Sequence, residues 1–168
     1  MSAVSAGGTP PYVAVCGPEP APEHVAAQAE SVGRALAQAG AVIVCGGLGG
    51  AMEAAARGAA AAGGVVIGIL PGADRAAANP HVTVALPTGM GEMRNALIVR
   101  AADALIAVGG EYGTLSEIAL ALKAGKPVVG LGTWVLARST GDPVEAIVRA
   151  DTAEAAVAEA LRLADPPG

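Results

Sequence analysis

Short apolar runs recur along this chain, and most of them end at a glycine or a proline. Segments rich in alanine and leucine separate the runs. Continuous apolar strands that alternate with helices are typical of a parallel sheet buried on both faces. The sequence therefore predicts an α/β fold: a Rossmann-like, doubly wound parallel sheet of about seven strands in a three-layer sandwich. The predicted strands are residues 12–17, 41–46, 65–70, 82–86, 104–108, 127–131 and 146–150.

The chain has 168 residues, the length of one ordinary domain. Residues 1–11 are rich in glycine, serine and proline, which predicts a disordered tail. No linker divides the remainder, so residues 12–168 are predicted to form a single Rossmann-like domain. Aromatic residues make up 2% of the sequence and phenylalanine is absent, so the core of this domain is predicted to be aliphatic.

Charge and cysteine usage narrow the classes of partner. The formal net charge is −5 and no basic run occurs, so nucleic acid is not an expected partner.

Glycine and proline interrupt the apolar stretches before they reach the ~20 residues of a membrane span. No targeting signal is visible, and we expect a cytoplasmic protein. Cys16 and Cys45 end apolar runs and predict buried, reduced thiols, while the isolated His24 and His81 do not indicate a metal site.

Glycines follow the predicted strands at the ends where such sheets bind ligands. Glycine lets backbone N–H groups approach an anion closely, and the helix that follows adds its dipole. Several such loops at one sheet edge predict a phosphate-binding crevice. The predicted binding residues in these loops are Gly17, Gly46, Gly47, Gly49, Gly50, Thr88, Gly89, Gly109 and Gly110. Neither a Walker A sequence nor GxGxxG is present, which disfavours a conventional ATPase or NAD-dependent dehydrogenase.

A longer motif follows the fifth predicted strand. Residues 109–117 read GGEYGTLSE, and Arg94 and Asn95 precede them on a predicted helix at 92–102. Together with CGGLGGAMEAAARGA and VIGILPG, this motif resembles the LONELY GUY family, some members of which are labelled "possible lysine decarboxylase". It is also similar to the molybdenum cofactor carrier proteins. The resemblance covers most of residues 12–132.

The resemblance implies a Rossmann-like homodimer or homotetramer that binds a small phosphorylated, nucleotide-like ligand. LONELY GUY enzymes hydrolyse the N-glycosidic bond of nucleoside 5′-monophosphates, whereas the carrier proteins bind a phosphorylated pterin. By this resemblance Arg94 and Glu117 are the catalytic residues. The ligand-binding residues that it adds to the glycine loops are Asn95, Gly113 and Thr114.

Two functions stay open because the sequence departs from the family motif. Gly109 stands where the motif has proline, Glu111 where it has glycine, and Asn95 where it has lysine. The first function is a phosphoribohydrolase that requires no cofactor, in which Arg94 orients a nucleoside 5′-monophosphate and Glu117 positions or activates water. The second is a non-catalytic carrier of a phosphorylated heterocycle such as the molybdenum cofactor. Asn95 and Glu111 favour the carrier, and the retained Arg94 and Glu117 favour the hydrolase.

Two further interpretations concern the motif. A pyridoxal phosphate-dependent lysine decarboxylase needs a lysine that forms a Schiff base. The lysines of the chain are Lys123, at the end of a predicted helix, and Lys126, at the start of a predicted strand. Both lie away from the glycine loops, which argues against a decarboxylase. Thr114 and Glu117 also match the S/T-x-x-E capping box, so a purely structural role at the start of a helix over 115–124 is the alternative to a binding site.

Overall fold

The structure of the chain is a computed structural model that describes residues 8–165. Strands and helices alternate along it, with 3₁₀ turns at Arg75–Ala77 and Gly91–Arg94. The strands are β1 (Tyr12–Cys16), β2 (Val42–Cys45), β3 (Val66–Leu70), β4 (Val84–Pro87), β5 (Ala104–Val108), β6 (Val128–Leu131) and β7 (Ile147–Ala150). The α-helices are α1 (Glu23–Gln38), α2 (Gly50–Ala61), α3 (Asn95–Ala101), α4 (Tyr112–Lys123) and α5 (Ala153–Ala164). Residues 1–7 of the predicted tail lie outside the described residues.

The strands form one parallel sheet in the order β4-β3-β2-β1-β5-β6-β7, so the predicted fold class is confirmed. The chain winds outward from β1 to β4, then returns to β5 and winds in the opposite direction. Val13 of β1 pairs in register with Ile43 of β2 on one side and with Ala104 of β5 on the other. The winding therefore reverses between β1 and β5, and sheets of this class bind ligands beyond the carboxyl ends of such strands.

Helices cover both faces of the sheet, as the three-layer prediction requires. α1, α2 and α5 pack on one face against side chains that include Ile43 and Ile106. α3 and α4 pack on the other face, where Ile98 and Ile118 are fully buried. Both clusters are built from aliphatic side chains and alanine, which agrees with the low aromatic content of the sequence.

α1 and α2 approach each other so closely that their backbones touch at two glycines. A Cβ at Gly33 would lie 1.9 Å from the carbonyl oxygen of Ala55, and a Cβ at Gly58 would lie 2.0 Å from that of Glu30. Real Cβ atoms essentially never come within 3.0 Å of another heavy atom. Glycine at both positions therefore sets the position of α2, whose amino terminus borders the crevice.

The helix after β5 begins earlier than the sequence predicted. α4 starts at Tyr112, three residues before the predicted start, with Glu111 as its N-cap. Gly109 has a φ of +61°, a conformation that lets the chain turn immediately after β5. The predicted helix at 92–102 is divided, because its first turn is the 3₁₀ turn Gly91–Arg94 and only the remainder is α-helical.

Large apolar side chains stay exposed near one end of the sheet. Val84 and Leu86 of β4 are 44% and 47% exposed, and Met93 and Leu97 are 74% and 39% exposed. Apolar patches on a folded protein commonly mark interaction surfaces. Self-association stays a prediction.

Three further observations concern the cysteines, the helices and clusters of potential metal ligands. Cys16 and Cys45 are both free and buried, as the sequence predicted. Among the described residues, no helix combines the length and the apolar character that crossing a bilayer demands. In the same part of the chain, no three His, Cys, Asp or Glu side chains converge as the ligands of a metal ion would.

Candidate anion-binding site

A cavity of about 320 Å³ lies beyond the carboxyl ends of β1 and β5, within the size range of small-molecule sites. The predicted site residues that line it are Gly17, Arg94, Asn95, Gly113, Thr114 and Glu117. The residues that line it without having been predicted are Pro18, Glu19, Met52, Glu92 and Glu111. The structure therefore brings the family motif together with the segment after β1. The position of that segment at a strand end is the signal that identifies it, because crevice residues follow strand ends.

The amino terminus of α4 opens into this cavity without a side-chain cap. A helix leaves its first N–H groups without intrahelical acceptors. In α4 the N–H of Leu115 donates to the carbonyl of the N-cap Glu111 (3.0 Å), and the Glu111 side chain makes no capping hydrogen bond. The N–H groups of Tyr112, Gly113 and Thr114, together with the helix dipole, therefore form a site suited to an anion.

Thr114 adds a hydroxyl to this site. The residue is 2% exposed, and its Oγ1 has no hydrogen-bond partner among residues 8–165. A buried polar group without a partner costs about 1–3 kcal/mol, so this hydroxyl favours a ligand that satisfies it. Because α4 begins at Tyr112, Thr114 is the third residue of the helix and Glu117 lies nearly one turn further along. The capping-box interpretation of Thr114 and Glu117 is wrong for this reason.

Arg94 supplies the cationic group of the cavity wall and is held from two sides. The residue is 9% exposed, and its Nε donates to the carbonyl of Ile69 at 2.8 Å. Its Nη1 donates to Oδ1 of Asn95, and Nδ2 of Asn95 donates to Oγ of Ser116 at 2.9 Å. Asn95 was predicted to bind the ligand; here its amide fixes Arg94 and joins α3 to α4.

Gly46 provides the space that Arg94 occupies. A Cβ at Gly46 would lie 2.6 Å from Nη2 of Arg94 and 2.6 Å from Sδ of Met52. A side chain at this position would therefore displace the guanidinium or the thioether. The predicted role of Gly46 in the site is thus indirect.

The other predicted loop residues do not line the cavity. Gly47, at φ +74°, packs its backbone against the Leu70 side chain. Thr88 donates its hydroxyl to the carbonyl of Leu70 at 2.7 Å, in the turn after β4. The remaining members of the predicted set form the turns into α2 and α4 or follow β4: Gly49, Gly50, Gly89, Gly109 and Gly110.

Trp134 supports the loop that leads into α4. Its Nε1 donates to the carbonyl of Glu111 at 3.2 Å, and a Cβ at Gly110 would lie 2.8 Å from the indole ring. The ring centroids of Trp134 and Tyr112 are 5.9 Å apart. Since the chain has one tryptophan, its fluorescence reports on this loop.

Glu117 lies in the cavity wall with an unusual protonation equilibrium. The residue is 8% exposed, and burial raises the pKa of its carboxyl from the ordinary 4.5 to about 7. The Arg94 guanidinium and a hydrogen bond with the Cys16 thiol act in the opposite direction. Burial, and then the proximity of Glu117, also raise the pKa of the Cys16 thiol. The cavity wall therefore contains a carboxyl group with a pKa near neutral pH.

Stability is expected to fall as the pH rises from about 5 to about 8. The carboxyl of Glu117 has a pKa of about 7 when folded and 4.5 ordinarily, so the folded chain retains a proton that the unfolded chain releases. The retained proton contributes its full stabilisation of the folded state below pH 4.5. This contribution is lost as the pH rises through 7, which lowers the free energy of unfolding by about 3 kcal/mol.

Urea denaturation at several pH values measures this effect. Glu117→Gln has no proton to lose, so we expect a flatter pH dependence and a more stable protein than the wild type above pH 7. Glu154→Gln, which changes an exposed carboxylate of α5, is the control and should follow the wild type. Identical pH dependence in the wild type and in Glu117→Gln would contradict the assignment.

The sequence of the chain matches a known protein family over most of its length. A family model described as the SLOG cluster4 family matches residues 10–157. The chain belongs to the SLOG cluster4 family. This agrees with the resemblance inferred from the motif at 109–117, which is confirmed.

Solved structures similar to this SLOG cluster4 family member include two proteins named for the molybdenum cofactor. A molybdenum cofactor binding protein from the phototrophic bacterium Rippkaea orientalis is 33% identical, with a TM-score of 0.80 over 91% of this chain and 96% of that one. The molybdenum cofactor carrier protein of Chlamydomonas reinhardtii is also 33% identical, with a TM-score of 0.80 over 92% and 98% of the two chains.

A sequence relative comes from an archaeon. An uncharacterised protein of Archaeoglobus fulgidus is 51% identical over 100 residues, which are 60% of this chain. The match spans 66% of the archaeal protein, just under two thirds of its length.

Proposed function

We propose that this chain binds a small phosphorylated heterocycle in the cavity beyond β1 and β5 and carries it without transforming it, with the molybdenum cofactor as the candidate ligand. The observation that carries the proposal is the buried, unpartnered Thr114 hydroxyl beside the uncapped start of α4. A phosphate oxygen would satisfy this hydroxyl and the neighbouring N–H groups. The names of the relatives from Rippkaea orientalis and Chlamydomonas reinhardtii support the choice of ligand.

Arg94, Met52 and Asn95 would also contribute to binding of the ligand. Arg94 would form a charge-assisted hydrogen bond to the phosphate, of the kind that strengthens phosphate recognition. Met52 lines the cavity and offers a polarisable thioether to a planar ring. Asn95 is neutral where the LONELY GUY motif has lysine, so one cation rather than two would hold the ligand.

Hydrolysis of a nucleoside 5′-monophosphate is the second candidate, and the position of Glu117 favours it. This carboxyl lines the same cavity as Arg94, and its pKa of about 7 suits a general acid or base at neutral pH. The two functions differ in outcome rather than in ligand position: a carrier returns its ligand intact, whereas a hydrolase releases free base and ribose 5-phosphate.

Two incubations of the purified protein distinguish the functions. In the first, molybdenum cofactor released anaerobically from a molybdoenzyme is mixed with the protein, and molybdenum that co-elutes on gel filtration is measured by mass spectrometry. In the second, AMP is incubated with the protein and the products are separated by chromatography. We expect near-stoichiometric molybdenum with the protein and intact AMP.

The outcomes separate clearly. Adenine and ribose 5-phosphate from AMP, lost in Glu117→Gln, would replace the carrier by the hydrolase. If the protein neither retains the cofactor nor binds AMP, the proposal of a phosphate site is overturned.

A further inference from the structure

Two helices begin beside the cavity, and the first of them, α2, is capped by the chain itself. The N–H of Gly49 donates to Oε1 of Glu19 at 3.1 Å, and the N–H of Ala51 donates to the carbonyl of Pro18 at 3.0 Å. The two segments touch, because a Cβ at Gly50 would lie 2.4 Å from the Pro18 oxygen. A carboxylate of the protein therefore occupies the place at the start of α2 where an anion would bind.

The second helix, α4, has no such occupant. Its N-cap makes no side-chain hydrogen bond, and the buried Thr114 hydroxyl beside it has no partner among residues 8–165. Arg94 lines the cavity on this side. The cavity thus offers one place to a phosphate, at α4, and fills the equivalent place at α2 with Glu19.

The charges of the cavity wall reinforce this difference. Glu19, Glu92, Glu111 and Glu117 line it, and Arg94 is the cationic side chain among the lining residues that the structure describes. A second phosphate joined to the first would have to lie among these carboxylates. Coulomb repulsion opposes that arrangement, and because Glu19, Glu92 and Glu111 are exposed, solvent and salt reduce it in part.

We propose that Glu19 determines specificity: by occupying the amino terminus of α2, it restricts the cavity to ligands with a single phosphomonoester and excludes pyrophosphates. This inference rests on the proposed function, because it concerns the ligand of the same cavity. Groups that place like charges together suppress binding of the wrong partner. Glu19 acts in this way on the second phosphate of a pyrophosphate ligand.

The test compares AMP with ADP, which share the base and the ribose and differ by one phosphate. Calorimetric titration, with Trp134 fluorescence as a second readout, gives the dissociation constants for the wild type and for Glu19→Gln. We expect the wild type to bind AMP at least about tenfold more tightly than ADP, and Glu19→Gln to reduce this ratio by about tenfold. Glutamine keeps an acceptor for the Gly49 N–H and removes only the charge.

Glu19→Ala and Glu53→Gln complete the experiment. Glu19→Ala also vacates the start of α2, so the ratio should fall at least as far as in Glu19→Gln. Glu53 lies in the first turn of α2 and does not line the cavity, so Glu53→Gln makes the same change of charge and should leave the ratio unaltered.

Each outcome has a separate meaning. Equal affinity of the wild type for AMP and ADP, or an unchanged ratio in Glu19→Gln, overturns the role of Glu19 and leaves the phosphate site intact. If neither nucleotide binds the wild type, the phosphate site of the proposed function fails, and the role of Glu19 fails with it.

Discussion

Gly33→Ala is expected to lower the free energy of unfolding by about 3 kcal/mol, the upper end of the range for overpacking. Its Cβ would lie 1.9 Å from the carbonyl oxygen of Ala55, and no side-chain rotation relieves a clash with backbone. α1 and α2 must separate instead, which opens the buried contact between them. Urea or thermal denaturation measures the change.

Gly113→Ala is the matched control for this substitution. Gly113 is also helical, and a Cβ there would meet no heavy atom within 4 Å. Alanine is favoured over glycine in helices by up to about 1 kcal/mol, so this variant should be as stable as the wild type or slightly more so. Equal stability of Gly33→Ala and Gly113→Ala would show that α1 and α2 adjust without cost.

Arg94→Ala is expected to weaken AMP binding by about a hundredfold, equivalent to about 2.7 kcal/mol. The substitution removes the cation of the cavity wall and leaves Glu117 without the guanidinium that lowers its pKa. Arg94→Lys keeps the charge but loses the planar donors that hold the group between Ile69 and Asn95, so we expect an intermediate loss. Calorimetry or Trp134 fluorescence gives the dissociation constants.

Arg100→Ala tests whether such a loss reflects the cavity or merely the charge of the chain. Arg100 is exposed, belongs to α3 and does not line the cavity. Its removal should leave AMP affinity unchanged apart from a small long-range electrostatic effect. Unaltered affinity in Arg94→Ala would place the phosphate elsewhere.

The sheet was predictable because its strands are continuous apolar runs between glycines and prolines. Ala104–Val108 shows this well: the run ALIAV was predicted with the bounds that β5 has in the structure. Helix starts were less predictable. The capping-box pattern at Thr114 favoured a helix from 115, whereas the backbone of Gly109, at φ +61°, allows α4 to begin at Tyr112.

The motif identified part of the candidate site, and tertiary geometry supplied the rest. Arg94 and Glu117 line the cavity, although their roles stay predictions. Glu19 belongs to no motif, and its contact with Gly49 joins positions 30 residues apart in sequence. The contact of Asn95 with Arg94 could not be predicted either, because the sequence alone does not distinguish an asparagine that holds a neighbouring side chain from one that binds a ligand.

Asn95 stands where the LONELY GUY motif has lysine, and this difference affects how long a bound ligand would stay in the cavity. Differences in affinity between related complexes arise chiefly from dissociation rates. Asn95 is neutral and its amide contacts Arg94 and Ser116, so one charge fewer would retain the proposed phosphate. An enzyme benefits from binding a charged intermediate tightly, whereas a carrier protein must release its ligand to the next protein. We therefore expect a ligand to dissociate faster from this chain than from an Asn95→Lys variant, while remaining bound for the minutes of a gel filtration.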